Sequence, residues 1–200
     1  VKNITSGEGG AILTNNKYFD TQIKNLRTHG IIRDKKILKN YHGDWYYEMH
    51  KLGFNYRLSD IHCALGISQL KKLDSFVYKK RLIAKRYNKK FINNPNFIIP
   101  FSNKNIIHSY HLYPLQIIFK NININKRDLF KKLKKDGINL MVHYIPVHTQ
   151  PYYKKKYNYN NNELKNSIEF YKNAVSLPIY KDLNNQNIEY ISEKILKYVK

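Results

Sequence analysis

Few residues in this chain are of a type that can do chemistry, once the general background of lysine is set aside. Lys2 opens the segment Lys2-Asn3-Ile4-Thr5-Ser6-Gly7-Glu8-Gly9-Gly10. A lysine amine that is neutral when free can attack a carbonyl carbon to form an imine and can carry a proton between neighbouring atoms. On residue type alone Lys2 stands no higher than the other lysines, for which an exposed structural position is the common case. His143 and Tyr144 close an apolar run, where a histidine can bind a ligand oxygen or satisfy backbone carbonyls; the residues leave both open. Asn55, inside Gly53-Phe54-Asn55-Tyr56-Arg57, offers an uncharged amide donor suited to an oxyanion, or a turn residue ahead of a helix cap. His29, and Tyr46 with its neighbours Trp45 and Tyr47, divide in the same way between ligand contact and packing. No phosphate loop of the Gly-x-x-x-x-Gly-Lys type, no nucleophile-plus-base motif and no spaced metal ligands accompany them, so no metal is expected. The single cysteine, Cys63, excludes a disulfide within the chain and any multi-cysteine zinc site, and is read as core filling.

The elements that must position these residues follow from periodicity and breakers. Gly9 and Gly10 feed a short apolar strand, Ala11-Ile12-Leu13, that stops at Asn15-Asn16. A helix is expected over 18–27, with apolar Tyr18, Phe19, Ile23 and Leu26 at helical spacing and Gly30 as the stop. Residues 31–52 have no clean period and read as a long loop, a length that in compact domains often serves function. Ser59 or Asp60 caps a helix whose Cys63, Ile67, Leu70, Leu73 and Val77 form an apolar stripe expected to be buried. That helix is expected to run on, bent near Asp74, to about residue 91, where Asn93, Asn94 and Pro95 end it. Beyond Pro100 the texture becomes strand over 110–119, helix over 125–135 closed by Asp136-Gly137, and strand over 138–144. A Tyr- and Asn-rich loop over 149–162 leads to a helix over 163–174. Ser176-Leu177-Pro178 then breaks the chain before a last amphipathic helix over 187–199.

Composition narrows the class. A chain of 200 residues with 42% hydrophobic content can bury one good core or two modest lobes. No apolar run approaches the roughly 20 residues that cross a bilayer, and Val1-Lys2-Asn3-Ile4 does not open a signal peptide, so a cytoplasmic protein with no membrane partner is expected. A formal net charge of +22 invites a nucleic-acid reading. The basic residues, however, are mostly lysines spread from Lys2 to Lys200 among Asn, Ile and Tyr, the residues of AT-rich codons, and net charge bears on solubility and steering rather than on chemistry. No nucleic-acid partner is expected, and the runs Lys132-Leu133-Lys134-Lys135 and Lys154-Lys155-Lys156 read as solvated faces.

Five pieces stand in a telling order: the segment from Lys2 to Gly10; Arg27-Thr28-His29-Gly30; Gly53-Phe54-Asn55-Tyr56-Arg57-Leu58-Ser59-Asp60; Ala64-Leu65-Gly66 with Gln69-Leu70; and Val142-His143-Tyr144-Ile145-Pro146-Val147-His148 before Gln150-Pro151-Tyr152. In order and spacing they resemble the DegT/DnrJ/EryC1/StrS family of sugar aminotransferases, from Lys2 to about Pro178. The resemblance implies the C-terminal part of a PLP-dependent transferase of fold type I, the aspartate-aminotransferase-like α/β fold. Residues 1–92 would be the end of the large PLP-binding domain and 93–200 the small α/β domain.

The same resemblance implies roles. Lys2 would be the Schiff-base lysine of pyridoxal 5'-phosphate, catalytic and cofactor-binding at once. Asn55 would reach across a homodimer to the cofactor phosphate of the partner subunit. His143 and Tyr144 would lie near the sugar-nucleotide pocket, with His29 and Tyr46 at its mouth. Arg57 is read as holding the loop or interface by ion pairing, and Glu8 as an anchor of the glycine turn or a surface carboxylate. The implied reaction moves an amino group from glutamate, leaving 2-oxoglutarate, to the 4-keto carbon of a UDP-linked 4-keto-6-deoxy-hexosamine on the way to pseudaminic acid. A perosamine-type or 4-amino-arabinose-type aminotransferase is the sister reading, and a non-catalytic basic binding protein of the same fold the reading from another class. By resemblance, the aspartate that meets the pyridine nitrogen and most strands of the large domain would precede Val1, so the 200 residues are expected to be a fragment, inactive alone.

Overall fold

The computed structural model describes residues 2–103, 105–157 and 163–200. It divides into two compact units, Ile4–Lys71 on one hand and Val1–Asn3 with Lys72–Lys200 on the other. The boundary expected near residue 92 falls inside the second of these, because the helix before it packs with the C-terminal sheet.

In the first unit, helix α1 (Lys17–Leu26) starts where the Asn16 side chain accepts from the N–H groups of Tyr18 and Phe19, which ties down two donors the first turn leaves free. The loop over 31–52 contains a two-residue antiparallel ladder, β1 (Ile31–Ile32) against β2 (Glu48–Met49). Helix α2 (Asp60–Leu70) is capped by Ser59, whose hydroxyl accepts from the His62 N–H. Two expectations fail here. Residues 11–13 form no strand, for among the described residues no neighbour pairs with them, and Ile12 and Leu13 stand 70% and 93% exposed. The stripe of α2 is not buried either: Cys63 is half-buried, while Ile67 and Leu70 are 59% and 60% exposed. Its spacing is helical, but no described element covers it.

In the second unit, α3 (Leu73–Phe91) follows after a break at Lys71-Lys72 rather than a bend at Asp74. A three-stranded antiparallel sheet has the order β3 (Phe97–Ile98), β4 (Tyr113–Ile117), β5 (Ala174–Leu177). Tyr113, Leu115 and Ile117 of β4 alternate into the core, where they meet Tyr87 and Phe91 of α3, Leu129 and Leu133 of α4 (Lys126–Lys135), and Ile188, Ile191 and Ile195 of the last helix. Pro114 is tolerated in this middle strand because β3 pairs only with Gln116 and Ile117, so position 114 lies beyond its end. Strand β5 contains Ser176 and Leu177, read from sequence as a break; buried on every residue, it lacks the alternation that marks a half-exposed strand. The strand expected over 138–144 reduces to one bridge, Met141 with Ser176.

Residues 149–157 of the expected loop carry a 3-10 turn (Val147–Thr149) and α5 (Pro151–Tyr157), while 158–162 lie outside the described residues. Helix α6 (Lys165–Asn173) leads into β5, and α7 (Asn185–Tyr198), capped by Asn184, closes the chain. Asp136, at the end of α4, fastens α7 by accepting from Lys194 at 2.9 Å and from the Tyr198 hydroxyl at 2.6 Å. Among the described residues no helix is long and apolar enough to cross a membrane.

Candidate active site

Lys2 is exposed, and among the described residues its amine has no hydrogen bond or ion pair. A free amine is what a carbonyl-condensing lysine requires. Its neighbour Asn3 accepts a 2.9 Å hydrogen bond from Lys80 Nζ on α3, which ties the start of the chain to the second unit. Lys80 is 5% exposed and lies in helical register with Ala84, Tyr87 and Phe91 on the buried face of α3. Burial lowers its pKa.

Two histidines feel the charge of Lys2. His111, half-buried just before β4, is held below the usual imidazole range by burial first, then by the positive charges of Lys2 and Lys80. His143 is lowered in the same direction by burial first, with the positive charge of Lys2 also contributing. In both, burial favours the neutral imidazole, which accepts one hydrogen bond and donates another. Ser176 of β5 holds His143 in place, its hydroxyl 2.8 Å from Nδ1, and its backbone exchanges hydrogen bonds with Met141 two residues earlier. Tyr144 stands exposed with its ring edge-on to His143, centroids 4.7 Å apart.

The other candidates lie in the first unit. The backbone of Phe54 and Tyr56 is laced to that of Leu26, Arg27 and His29: Phe54 N–H donates to Leu26 at 2.8 Å, Tyr56 N–H to Arg27 at 2.9 Å, and His29 N–H to Phe54 at 3.0 Å. Two sequence motifs far apart in the chain thus form one pairing, with His29 exposed at one side and Asn55 at the other. Among the described residues Arg57 is in no ion pair; its Nε donates to Asn55 Oδ1 at 2.9 Å. Since a guanidinium has only donors, the Asn55 atom facing it must be the oxygen, which leaves the amide N–H groups pointing outward without a partner among the described residues. Tyr46, in the loop between β1 and β2, is half-buried and donates its hydroxyl to Glu48 at 3.2 Å. The glycine turn packs on the start of α2: a Cβ at Gly7, which has φ of +82°, would lie 2.9 Å from the His62 ring. Only glycine fits that combination of backbone and space. Glu8 is exposed and has no partner among the described residues, so it does not anchor the turn.

The structure therefore places Lys2 and His143 in the second unit, and in the first it pairs Thr28, the neighbour of His29, with Asn55. Sequence reasoning missed Lys80, His111 and Ser176. Lys80 had a readable signal, a lysine on the apolar stripe of its helix; His111 and Ser176 had none, because it is the sheet that brings them to the site.

Taken unit by unit, the unpaired Lys2 amine is of a chemistry that condenses with an aldehyde such as that of pyridoxal 5'-phosphate, and the Asn55 amide is of a chemistry that donates to a phosphate. Comparison with known proteins gives the family. The DegT/DnrJ/EryC1/StrS aminotransferase family matches residues 1–196. The UDP-4-amino-4,6-dideoxy-N-acetyl-beta-L-altrosamine transaminase of Campylobacter jejuni is 39% identical over 195 residues, 98% of this chain and 49% of that protein. The spore coat polysaccharide biosynthesis protein SpsC of Bacillus subtilis is 33% identical over all of this chain and 51% of its own length. Among solved structures, PseC of Helicobacter pylori, an aminotransferase involved in the biosynthesis of pseudoaminic acid, superimposes with a TM-score of 0.86 at 33% identity, covering 100% of this chain and 51% of that one. The chain spans about half the length of the curated relatives it matches, and its fold is that of the C-terminal half of a fold-type I aminotransferase.

Proposed function

Because the chain belongs to the DegT/DnrJ/EryC1/StrS aminotransferase family, we propose that Lys2 is the attachment point for pyridoxal 5'-phosphate in a nucleotide-sugar aminotransferase. The whole protein would move an amino group from glutamate to the 4-keto carbon of a UDP-linked 4-keto-6-deoxy-hexosamine, the chemistry that the names of the Campylobacter and Helicobacter relatives suggest. The observation that carries the reading is the family match over residues 1–196, with a Lys2 amine that is exposed and has no partner among the described residues.

The cofactor, when bound, supplies the aldehyde and the electron-accepting ring. The chain supplies the rest. With the cofactor bound, the Lys2 amine would hold the cofactor and could carry a proton at the reacting carbon. His143, fixed by Ser176, presents its remaining ring nitrogen to a ligand hydroxyl, with Tyr144 beside it. Asn55, oriented by Arg57, offers its amide N–H groups to a phosphate without adding charge. In this proposal that phosphate belongs to the other subunit of a cytoplasmic homodimer, His29 and Tyr46 border the sugar entrance, residues 1–92 finish a large domain and 93–200 form a small one.

The test is Lys2→Ala in the full-length protein, with borohydride reduction in the presence of pyridoxal phosphate and mass spectrometry of the peptide containing residue 2. The native protein is expected to gain the reduced cofactor on Lys2; the variant is expected to gain none there and to lose transamination by several orders of magnitude. Reduced cofactor on a different lysine of the native protein would overturn the assignment. In the same assay the 200-residue chain alone is expected to show no turnover, and comparison of UDP- and dTDP-linked keto sugars identifies the acceptor.

A further inference from the structure

Lys80 is in a place where an apolar side chain would stabilise the fold more. It shares the inward face of α3 with Ala84, Tyr87 and Phe91, and it is 5% exposed. An ammonium carries three N–H donors, and among the described residues only one finds an acceptor, Asn3 Oδ1 at 2.9 Å. None of the ion pairs among the described residues includes Lys80 or Lys2. The groups that sense these charges are basic as well: Lys2 and Lys80 both depress His111. A buried cation that has one acceptor and no ion-pair partner among the described residues is costly unless an anion arrives to pair with it. The bond to Asn3 sets the ammonium one residue from the amine that reacts.

We propose that Lys80 is an oxyanion-binding residue of the Lys2 site, pairing through its two open N–H groups with an anionic oxygen group of the ligand that reacts there. The inference rests on the reading of Lys2 given above. An oxyanion of this kind has two sources in that reaction, the carboxylate of the amino donor and the diphosphate of the sugar nucleotide. Either would fill both donors with charge-assisted hydrogen bonds, the stronger kind, and either would offset the burial that lowers the pKa of Lys80.

The experiment is calorimetric titration of the full-length protein and its Lys80→Met variant with two unreactive probes, glutarate for the carboxylate and UDP for the diphosphate. Methionine keeps the length and suits the apolar face of α3, so the variant is expected to melt no lower than the native protein. Loss of a charge-assisted pair is expected to weaken binding about tenfold or more. Weakening confined to glutarate assigns Lys80 to the amino donor, weakening confined to UDP assigns it to the sugar nucleotide, and weakening of both assigns it to a position the two ligands share in turn. The proposal is overturned if the variant binds both probes as tightly as the native protein, or if the native protein binds neither. Borohydride attachment at Lys2 of the native protein is measured alongside, so a failed reading of Lys2 shows itself separately from a failed reading of Lys80.

Discussion

The carboxylate of Glu48 is met by the backbone N–H of Lys39 at 3.0 Å, the N–H of Asn40 at 2.9 Å, the Tyr46 hydroxyl at 3.2 Å and His50 Nε2 at 2.5 Å. The Lys39 N–H bond is the largest cause, with His50 next, of a pKa lowered from 4.5 to about 2. A carboxyl whose folded pKa is depressed gives stability that is present above its unfolded value and lost as pH falls through the folded one. The stabilising contribution of the Glu48 carboxylate is therefore fully present above pH 4.5 and is lost as pH falls from 4.5 through about 2. Glu48→Gln is expected to reproduce the acid state at neutral pH: the Lys39 and Asn40 amides should exchange with solvent several-fold faster, and Tyr46 should lose its fixed orientation. Exchange at those two amides that is unchanged in the variant would show that the carboxylate does not organise the loop. Individual residues could be singled out in sequence only where a motif surrounded them, as for Lys2, Asn55 and His143. Lys80 lies on α3, His111 just before β4 and Ser176 in β5; the stripe of α3 marks Lys80 as a lysine on an apolar face, but no spacing in the chain relates the three to one another.

At the level of elements, helices were easier to read than strands because a helix is specified locally. Asn16, Ser59, Asn125 and Asn184 each cap the helix they precede through the side chain, and the apolar spacing of α3, α4 and α7 gives their inner faces. Strands take their identity from partners distant in sequence. Residues 138–144 look like a strand yet form one bridge, whereas Ser176 and Leu177 look like a breaker and lie in β5. The middle strand β4 shows where packing is concentrated: its inward Leu115 is fully buried between Tyr113 and Ile117, which are buried to the same degree. Leu115→Ala is expected to destabilise the second unit by about 2–5 kcal/mol, the cost of the lost side chain plus the cavity it leaves. Gln116→Ala, on the outward face of the same strand, is expected to cost less than 1 kcal/mol, roughly the range of surface substitutions. Chemical denaturation of the two variants compares them directly, and equal losses would mean that β4 is not packed on one side as described.

Across the molecule, hydrophobic burial is divided unevenly. Every hydrophobic residue of the core, from Ile83 to Val199, belongs to the second unit. In Ile4–Lys71 the one buried residue among those described is Gly30, while Ile61, Ile67 and Leu70 of α2 and Phe54 and Tyr56 before it are exposed. Burial of apolar surface is the main favourable term in folding, at roughly 25 cal/mol per Å², so the two units of the isolated chain cannot be equally stable. The second should unfold cooperatively; the first, held by caps, a two-residue ladder and the pairing of Phe54 and Tyr56 with Leu26, Arg27 and His29, should open locally at much lower free energy. The net charge of +22 acts in the same direction, since self-repulsion weighs most where little apolar surface is buried. Hydrogen exchange on the 200-residue chain is expected to show its slowest amides in α3, β4 and α7, with those of α1 and α2 exchanging at least tenfold faster. Equal protection in α2 would mean that its apolar face is covered in solution. Protection that rises with protein concentration would identify a second copy as the cover, because binding to the folded form stabilises it by mass action.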